Sequence, residues 1–330
     1  MNYSLFLENL KKRRYDEAIK EHVLSDGFKR SKYPDVLKYT LESMVEIDPS
    51  YAYKVYANSR RIHEKIMARF KKKGIKVDYR YQGDLKTFSN ILLYGDVEII
   101  VIDKLSKEKP HVAIKKITGE LLDALKDDPS FKSVNYNDQT RIRIIASKPT
   151  CEIDLLPSVW VDSNEYIKSH NEIYRGIAEF DFKRKRVKKY LPFLNIARLN
   201  ARDQRTNGNF RSLVRLLKSL KTDSEENIQL KNADINSIVY KIPESKLQLP
   251  PGKLLAVFPL IDKLLAKLAW EDKYFAALKS PSEKDRIFAS RPEAKDEVIK
   301  LHKSFKQLMQ DVQKELAEKK LTFSSSGINY

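Results

Sequence analysis

Apolar residues recur at helical spacing early in the chain, give way to short apolar runs between Val77 and Pro157, and return to helical spacing from 164 onward. Residues 3–24 read as a basic amphipathic helix. Pro49 and Ser50 open a long helix running to about Lys72, with Ile62, Ile66 and Phe70 on one face and Gly74 as its stop. Val77–Tyr81 reads as a strand, followed by a turn at Gln82-Gly83-Asp84 ahead of a further helix. Val97–Ile102 is a continuous apolar run between turn signals, as expected of a strand buried on both faces. A helix is expected over 112–126. Strands are expected over Phe131–Tyr136 and Arg141–Ala146, separated by Asn137-Asp138, and over Cys151–Leu156, closed by Pro157. The rest reads as helical, with amphipathic pieces at Phe210–Leu220, Leu254–Trp270 and Glu293–Lys319 and a frayed polar end at Thr322–Tyr330. The expected class is α+β. A mixed-sheet lobe with its N-terminal helices spans 1–163, and a helical lobe spans 164–330.

Composition narrows the function. No apolar run approaches the roughly 20 residues that a bilayer crossing needs, so no membrane partner is expected. The cluster Lys11 to Arg14 follows the apolar Leu5-Phe6-Leu7, the reverse of a secretion signal, and the single Cys151 fits a reducing cytoplasm. One cysteine and five histidines leave no basis for a structural zinc site. The formal charge of +18 gathers at Lys11–Arg14, Arg69–Lys73 and Lys183–Lys189. Such clustering favours a polyanionic partner: nucleotide, nucleic acid (RNA or DNA) or an anionic surface. A solvated surface is the competing reading of each run. Within the last run, Lys183, Arg184, Lys185, Arg186, Lys188 and Lys189 form the candidate nucleic-acid surface, with Phe180 and Phe182 leading into it.

The chemistry concentrates in the strand-rich part. Asp96 and Glu98 are two residues apart, so on a strand both carboxylates project from one face. Asp154 interrupts a second apolar strand. An Asp-x-Glu pair alone is commonly a solvated pair. Here the carboxylates border apolar strands, where burial is costly without a cation or partner. Carboxylates so arranged suit Mg²⁺ or Mn²⁺ and two-metal phosphoryl transfer. The loops of P-loop and Rossmann proteins and the Gly-x-Ser-x-Gly elbow are missing.

In order and spacing, Gly83-Asp84, Asp96-Val97-Glu98 and Glu152-Ile153-Asp154-Leu155-Leu156-Pro157 resemble the polymerase-β nucleotidyltransferases. The likeness is to the branch holding cyclic GMP-AMP synthase, oligoadenylate synthase and the bacterial cyclic-oligonucleotide synthases of anti-phage defence. Arg211–Lys218 resembles that branch's helix whose lysine contacts the donor triphosphate, and Ile235–Val239 the segment whose serine approaches it. The resemblance covers roughly residues 50–290 and implies a bilobal nucleotidyltransferase fold. It implies that Asp96, Glu98 and Asp154 hold the metals. Gly83, Asp84, Thr87, Lys218 and Ser237 would line the nucleotide site, with NTPs as substrates. A separate effector protein would respond to the product.

Two positions depart from the pattern. Glu98 replaces an aspartate and keeps its charge. Asp84 stands where the family has a serine, so an acceptor-only carboxylate replaces a donor that would face phosphate. Thr87 and Ser89 are the alternative sources of a hydroxyl. The expected function is metal-dependent synthesis of a cyclic oligonucleotide second messenger. The alternative is a catalytically degenerate fold that senses nucleic acid or nucleotide, and a third reading is nucleotide transfer to RNA or protein.

Overall fold

The computed structural model describes residues 1–104, 108–137, 140–250 and 252–318. Asp138, Lys319 and the expected frayed end at Thr322–Tyr330 lie outside them. The chain begins with α1 (Tyr3–Arg13), a two-stranded hairpin of β1 (Tyr15–Asp16) and β2 (Glu21–His22), α2 (Asp26–Arg30) and α3 (Asp35–Met44). There follow α4 (Ser50–Lys72), β3 (Val77–Gln82), β4 (Val97–Asp103), α5 (Pro110–Leu125), β5 (Phe131–Asn137), β6 (Arg141–Ser147) and β7 (Thr150–Val161). Next come α6 (Asn164–Ser169), β8 (Gly176–Asp181), β9 (Arg186–Tyr190) and α7 (Pro192–Arg205). The remainder is helical: α8 (Asn209–Asp223), α9 (Asn232–Tyr240), α10 (Glu244–Leu247), α11 (Phe258–Trp270), α12 (Asp272–Ala277) and α13 (Ala294–Glu318).

These elements form two compact units, Asp48–Ala197 and a second made of Met1–Ile47 with Arg198–Tyr330. The expected division at 163/164 is therefore corrected twice: the first 47 residues belong with the helical unit, and the sheet unit runs on to Ala197. Long-range burial explains the first correction. Phe6, Leu7, Leu10, Leu37 and Tyr39 share one core with Leu213, Leu217, Phe258 and Phe305. Each such fully buried side chain contributes roughly 1.5–3 kcal/mol. Arg13 forks onto Asp223 at 2.5 and 2.9 Å, and the buried Tyr39 hydroxyl donates to the same carboxylate at 2.8 Å. Arg14 is buried too, donating to Glu42 Oε1 at 2.5 Å and to the carbonyls of Glu42 and Val45 at 3.0 Å. Two cations of the first basic cluster thus serve packing. The single helix expected over 3–24 ends at Arg13 and gives way to the β1–β2 hairpin.

In the sheet unit, α4 buries Val55, Ile62, Ile66 and Phe70 along one stripe. Lys73 ends it, with Gly74 at φ 64° beyond. The sheet runs β3-β4-β7-β6-β5, with β8 added along β7 and β9 along β8. β4 and β7 are parallel and the other pairs antiparallel. Val97, Ile99 and Val101 face the core formed with α4 and α5, while Ile100 and Ile102 pack with Ile177, Trp160, Tyr190 and Phe193 on the opposite face. That two-sided burial is why β4 reads as an unbroken apolar run.

Pro157 does not close β7, which continues to Val161. On the side away from β4, β6 pairs up to Leu155 and β8 only from Val159, and Pro157 falls between them. The region after 164 is not wholly helical, because β8 and β9 form a hairpin. Lys183–Lys185 make its turn, and Arg186–Lys189 are exposed on both faces of β9. A short basic strand at a sheet edge discourages pairing with another chain, and its lysines and arginines carry no apolar alternation that a sequence reading could detect.

Candidate active site

Strand register assembles the site. Glu98 on β4 lies directly opposite Asp154 on β7, Asp154 opposite Arg143 on β6, and Gln82 on β3 opposite Glu98. Paired residues project from the same face, so Gln82, Glu98, Asp154 and Arg143 form one polar row crossing four strands. The row lies on the face turned away from the core with α4 and α5, because Ile99, Ile153 and Leu155 occupy the alternate positions.

The row is held by charge-assisted hydrogen bonds. Gln82 Nε2 donates to Glu98 Oε2 at 2.9 Å. Arg141 Nη1 donates to both Glu98 Oε1 at 3.3 Å and Asp154 Oδ2 at 3.1 Å. Arg143 forks onto Asp154, with Nε to Oδ1 and Nη2 to Oδ2, each at 3.0 Å, and its Nη2 also lies 2.8 Å from Glu152 Oε1. Tyr190 donates to the buried Glu179 on β8.

The acidic groups disturb one another. Asp96, just before β4, keeps solvent contact. Even so, desolvation and the charges of Glu152, Asp84 and Asp154 push its pKa up to about 7, with Arg143 opposing. Burial also raises Glu98; Arg141 and Gln82 pull against it, while Asp84 and Asp154 add to it. Glu152 is raised by burial, with Arg143 opposing. Burial draws Arg141 down, but Glu98, Asp154 and Glu179 together hold it above its ordinary value. Burial is the largest cause of these upward shifts, and a positive charge placed among the carboxyls would oppose them.

Oxygen donors of this kind fit a hard divalent cation such as Mg²⁺ or Mn²⁺. Among the described residues no three aspartate, glutamate, histidine or cysteine side chains converge on one cation position. Both oxygens of Asp154 face guanidinium groups instead.

The turn after β3 is built around Gly83, whose φ is 88° and whose Cα approaches Glu98: a Cβ there would lie 3.2 Å from Glu98 Cγ. A side chain would crowd the carboxylate that β4 presents. The expected helix after this glycine is instead a series of turns, with Thr87 N–H donating to Gly83 O at 3.2 Å and Ser89 N–H to Asp84 O at 3.0 Å. Thr87 is buried, and its hydroxyl donates to the carbonyls of Gly83 and Asp84 at 3.2 and 3.3 Å and meets Ser89 Oγ at 2.9 Å. Ser89 Oγ reaches Asp84 Oδ1 at 3.5 Å. Both hydroxyls are thus engaged within the loop.

Lys218 and Ser237 lie in the helical unit on α8 and α9, which pack together. Lys218 is fully buried, which excludes a surface charge. Ser237 sits inside α9 and donates to Ala233 O at 2.8 Å, which excludes a cap. Of the Lys183–Lys189 cations, all exposed, Arg184 lies 3.8 Å from Asp181. Phe180 and Phe182 meet edge to face, with ring centroids 4.8 Å apart. Cys151 is buried and its thiol raised by burial, so it is a packing residue.

Sequence reasoning missed Gln82, Arg141, Arg143, Glu179 and Tyr190. One signal was present: in Arg141-Ile-Arg143-Ile, cations alternate with core residues at the strand period, mirroring Glu152-Ile-Asp154-Leu.

Among the described residues no helix is long and apolar enough to cross a membrane. Residues 197–318 match the cGAS/DncV-like nucleotidyltransferase C-terminal helical domain. A c-di-GMP synthase of Capnocytophaga granulosa is 29% identical, across 91% of this chain and 94% of its own. The cyclic dinucleotide synthase CdnE of Yersinia aleksiciae is 27% identical, across 96% and 89%. The structure of a STING-associated CdnE c-di-GMP synthase from Capnocytophaga granulosa superposes with a TM-score of 0.77 at 26% identity, covering 95% of this chain and 99% of that one. The C-terminal match, the near full-length relatives and the order of turn glycine, paired carboxylates and third aspartate agree: residues 197–318 match the C-terminal helical domain of the cGAS/DncV-like nucleotidyltransferases, and nearly the whole chain is similar to synthases of that kind.

Proposed function

We propose that this protein joins two nucleoside triphosphates into a cyclic dinucleotide, releasing one pyrophosphate for each bond formed. The observation that carries the reading is the placement of Glu98 and Asp154 side by side on parallel strands, with Asp96 beside them. The relatives named as cyclic dinucleotide synthases support an active enzyme over a degenerate sensor.

In each step the acceptor 3′- or 2′-hydroxyl passes its proton to the Asp154 carboxylate or to water. The hydroxyl oxygen bonds to the α-phosphorus, and the bond from that phosphorus to the β-phosphate oxygen breaks. Asp96, Glu98 and Asp154 are the residues that would hold a divalent Mg²⁺ or Mn²⁺, which would supply Lewis acidity for the acceptor hydroxyl and the departing pyrophosphate. Asp154, the most deeply buried of the three, orients the acceptor. Gly83 keeps the space beside Glu98 open to a phosphate. Lys218 and Ser237, on α8 and α9 of the helical unit, keep the donor-triphosphate role that the family resemblance implies.

Guanine is the expected base, since three relatives carry the name c-di-GMP synthase. An effector that reads the product fits the STING-associated description of the Capnocytophaga granulosa neighbour, and anti-phage defence is the setting that the family resemblance implies. The cations at Lys183–Lys189 are proposed to bind an activating RNA or DNA, an assignment that their full exposure supports.

The test is pyrophosphate release from mixed NTPs with Mg²⁺ or Mn²⁺, with and without duplex RNA or DNA, and mass identification of the product. Release that disappears in Asp154→Asn supports the reading. Undiminished product from that variant, or silence under every condition, overturns it. Charge reversal across Lys183–Lys189 should lower only the nucleic-acid-stimulated rate, and an equal fall in the basal rate removes the activator assignment.

A further inference from the structure

The polar row contains two arginines that the synthase reading leaves without a task. Arg141 spans Glu98 and Asp154 from a single nitrogen, and Arg143 closes a fork over both oxygens of Asp154. Asp154 is nearly sealed, with its side chain 6% exposed, whereas the Arg141 and Arg143 side chains remain 34% and 40% exposed. The carboxylate is fixed by its strand. The guanidiniums sit at the ends of long side chains that keep part of their surface in solvent.

We infer that Arg141 and Arg143 are positioning residues that couple cation loading to nucleotide binding. The inference rests on reading Glu98 and Asp154 as cation-holding groups. The guanidiniums stand as the counter-charge of these carboxylates, and a divalent cation must compete with them. An arriving triphosphate offers the guanidiniums a better partner, because phosphate oxygens accept the same planar fork in water-accessible space. Once the arginines turn to the triphosphate, both oxygens of Asp154 are released to the cation. Cation and nucleotide therefore bind with positive coupling, and by linkage each tightens the other by the same factor. The protein thus holds the cation more weakly when no substrate is present.

Electrostatics fixes the sign of the test. Removing a positive charge about 3 Å from a buried carboxylate strengthens cation binding there, since repulsion between like charges is several-fold larger in a partly buried site than in water. A purely structural arginine would do the opposite, because its loss would loosen the ligands.

The experiment titrates Mn²⁺ into the full chain, following free Mn²⁺ by electron paramagnetic resonance. It is run with and without a GTP analogue bearing a methylene between the α- and β-phosphates. In the wild type the analogue should tighten Mn²⁺ binding by about tenfold or more. Arg143→Gln should bind Mn²⁺ more tightly without nucleotide and lose most of the coupling. Arg141→Gln should do the same to a smaller extent. Arg143→Lys, which keeps the charge without the fork, should fall between wild type and Arg143→Gln. If Arg143→Gln does not fold, Arg143→Lys and Arg141→Gln carry the test. Equal coupling in the wild type and in the variants that fold, weaker nucleotide-free Mn²⁺ binding in the variants, or no coupling in the wild type each overturn the inference. Coupling that vanishes in the variants of a protein that makes no product would sustain the inference while removing the synthase reading.

Discussion

Glu98 and Asp154 stand opposite each other on adjacent parallel strands and share one nitrogen, Arg141 Nη1, at 3.3 and 3.1 Å. Their separation is thus set by backbone register, and the charge between them by a side chain from a third strand. Replacing Asp154 by asparagine keeps the shape and removes the charge. Product formation should fall by at least about 100-fold, because a group acting in concert with others is lost entire. Thermal unfolding should show the fold retained, which separates lost chemistry from lost structure.

Gly83→Ala tests the turn. At φ 88° an alanine is strained, and its Cβ would press on Glu98 Cγ at 3.2 Å. A loss of about 1–2 kcal/mol is expected from the backbone alone. Denaturant unfolding reads that loss. A parallel drop in activity larger than the stability loss would show that Glu98 has been displaced.

The raised pKa of Asp96 makes a pH prediction with a definite sign. Its protonated form is favoured in the fold, so its contribution to stability is complete below its ordinary value of 3.8 and is lost as pH rises through about 7. In chelator, wild-type stability should therefore decline across that window more than that of Asp96→Asn. Asp96 retains solvent contact, which screens the repulsion and keeps the difference modest. Added Mn²⁺ should offset the decline in the wild type, and identical pH profiles for the two proteins would refute the assignment.

Glu42→Ala tests the N-terminal helices. It would leave the buried Arg14 guanidinium without its carboxylate and free the Ser25 hydroxyl, which donates to the same group at 2.5 Å. Breaking one partner of a buried ion pair costs about 3–5 kcal/mol. A midpoint shift in denaturant should report a loss of that size, and a shift below about 1 kcal/mol would mark the pair as peripheral.

Part of this was legible along the chain. The β4 run Val97–Ile102 and the α4 stripe Ile62, Ile66 and Phe70 announce themselves because burial on two faces, or on one helical face, imposes a local period. Asp96, Glu98 and Asp154 stood out because carboxylates at apolar strands are costly. The pairing of Glu98 with Asp154 was not visible, since parallel strands far apart in sequence have no connecting turn to fix their register. Likewise β9 carries Arg186-Val-Lys-Lys, exposed on both faces, so no apolar alternation betrays a strand. The partnership of α1 with α8 and α13 escaped for a similar reason: amphipathic helices show which face is buried, not which residues bury it.

That partnership bears on how the protein is made. Tyr3 donates to Asp311 at 2.6 Å across 308 positions of sequence. During translation the segment Asp48–Ala197 has all of its own partners once Ala197 has emerged, and it can fold while synthesis continues. Phe6, Leu7 and Leu10 must wait for α8 and α13. From the emergence of Ala197 until α13 is complete, the nascent chain thus carries an incompletely covered N-terminal helix together with a finished sheet. That interval is the period of greatest exposure to chaperones and to aggregation.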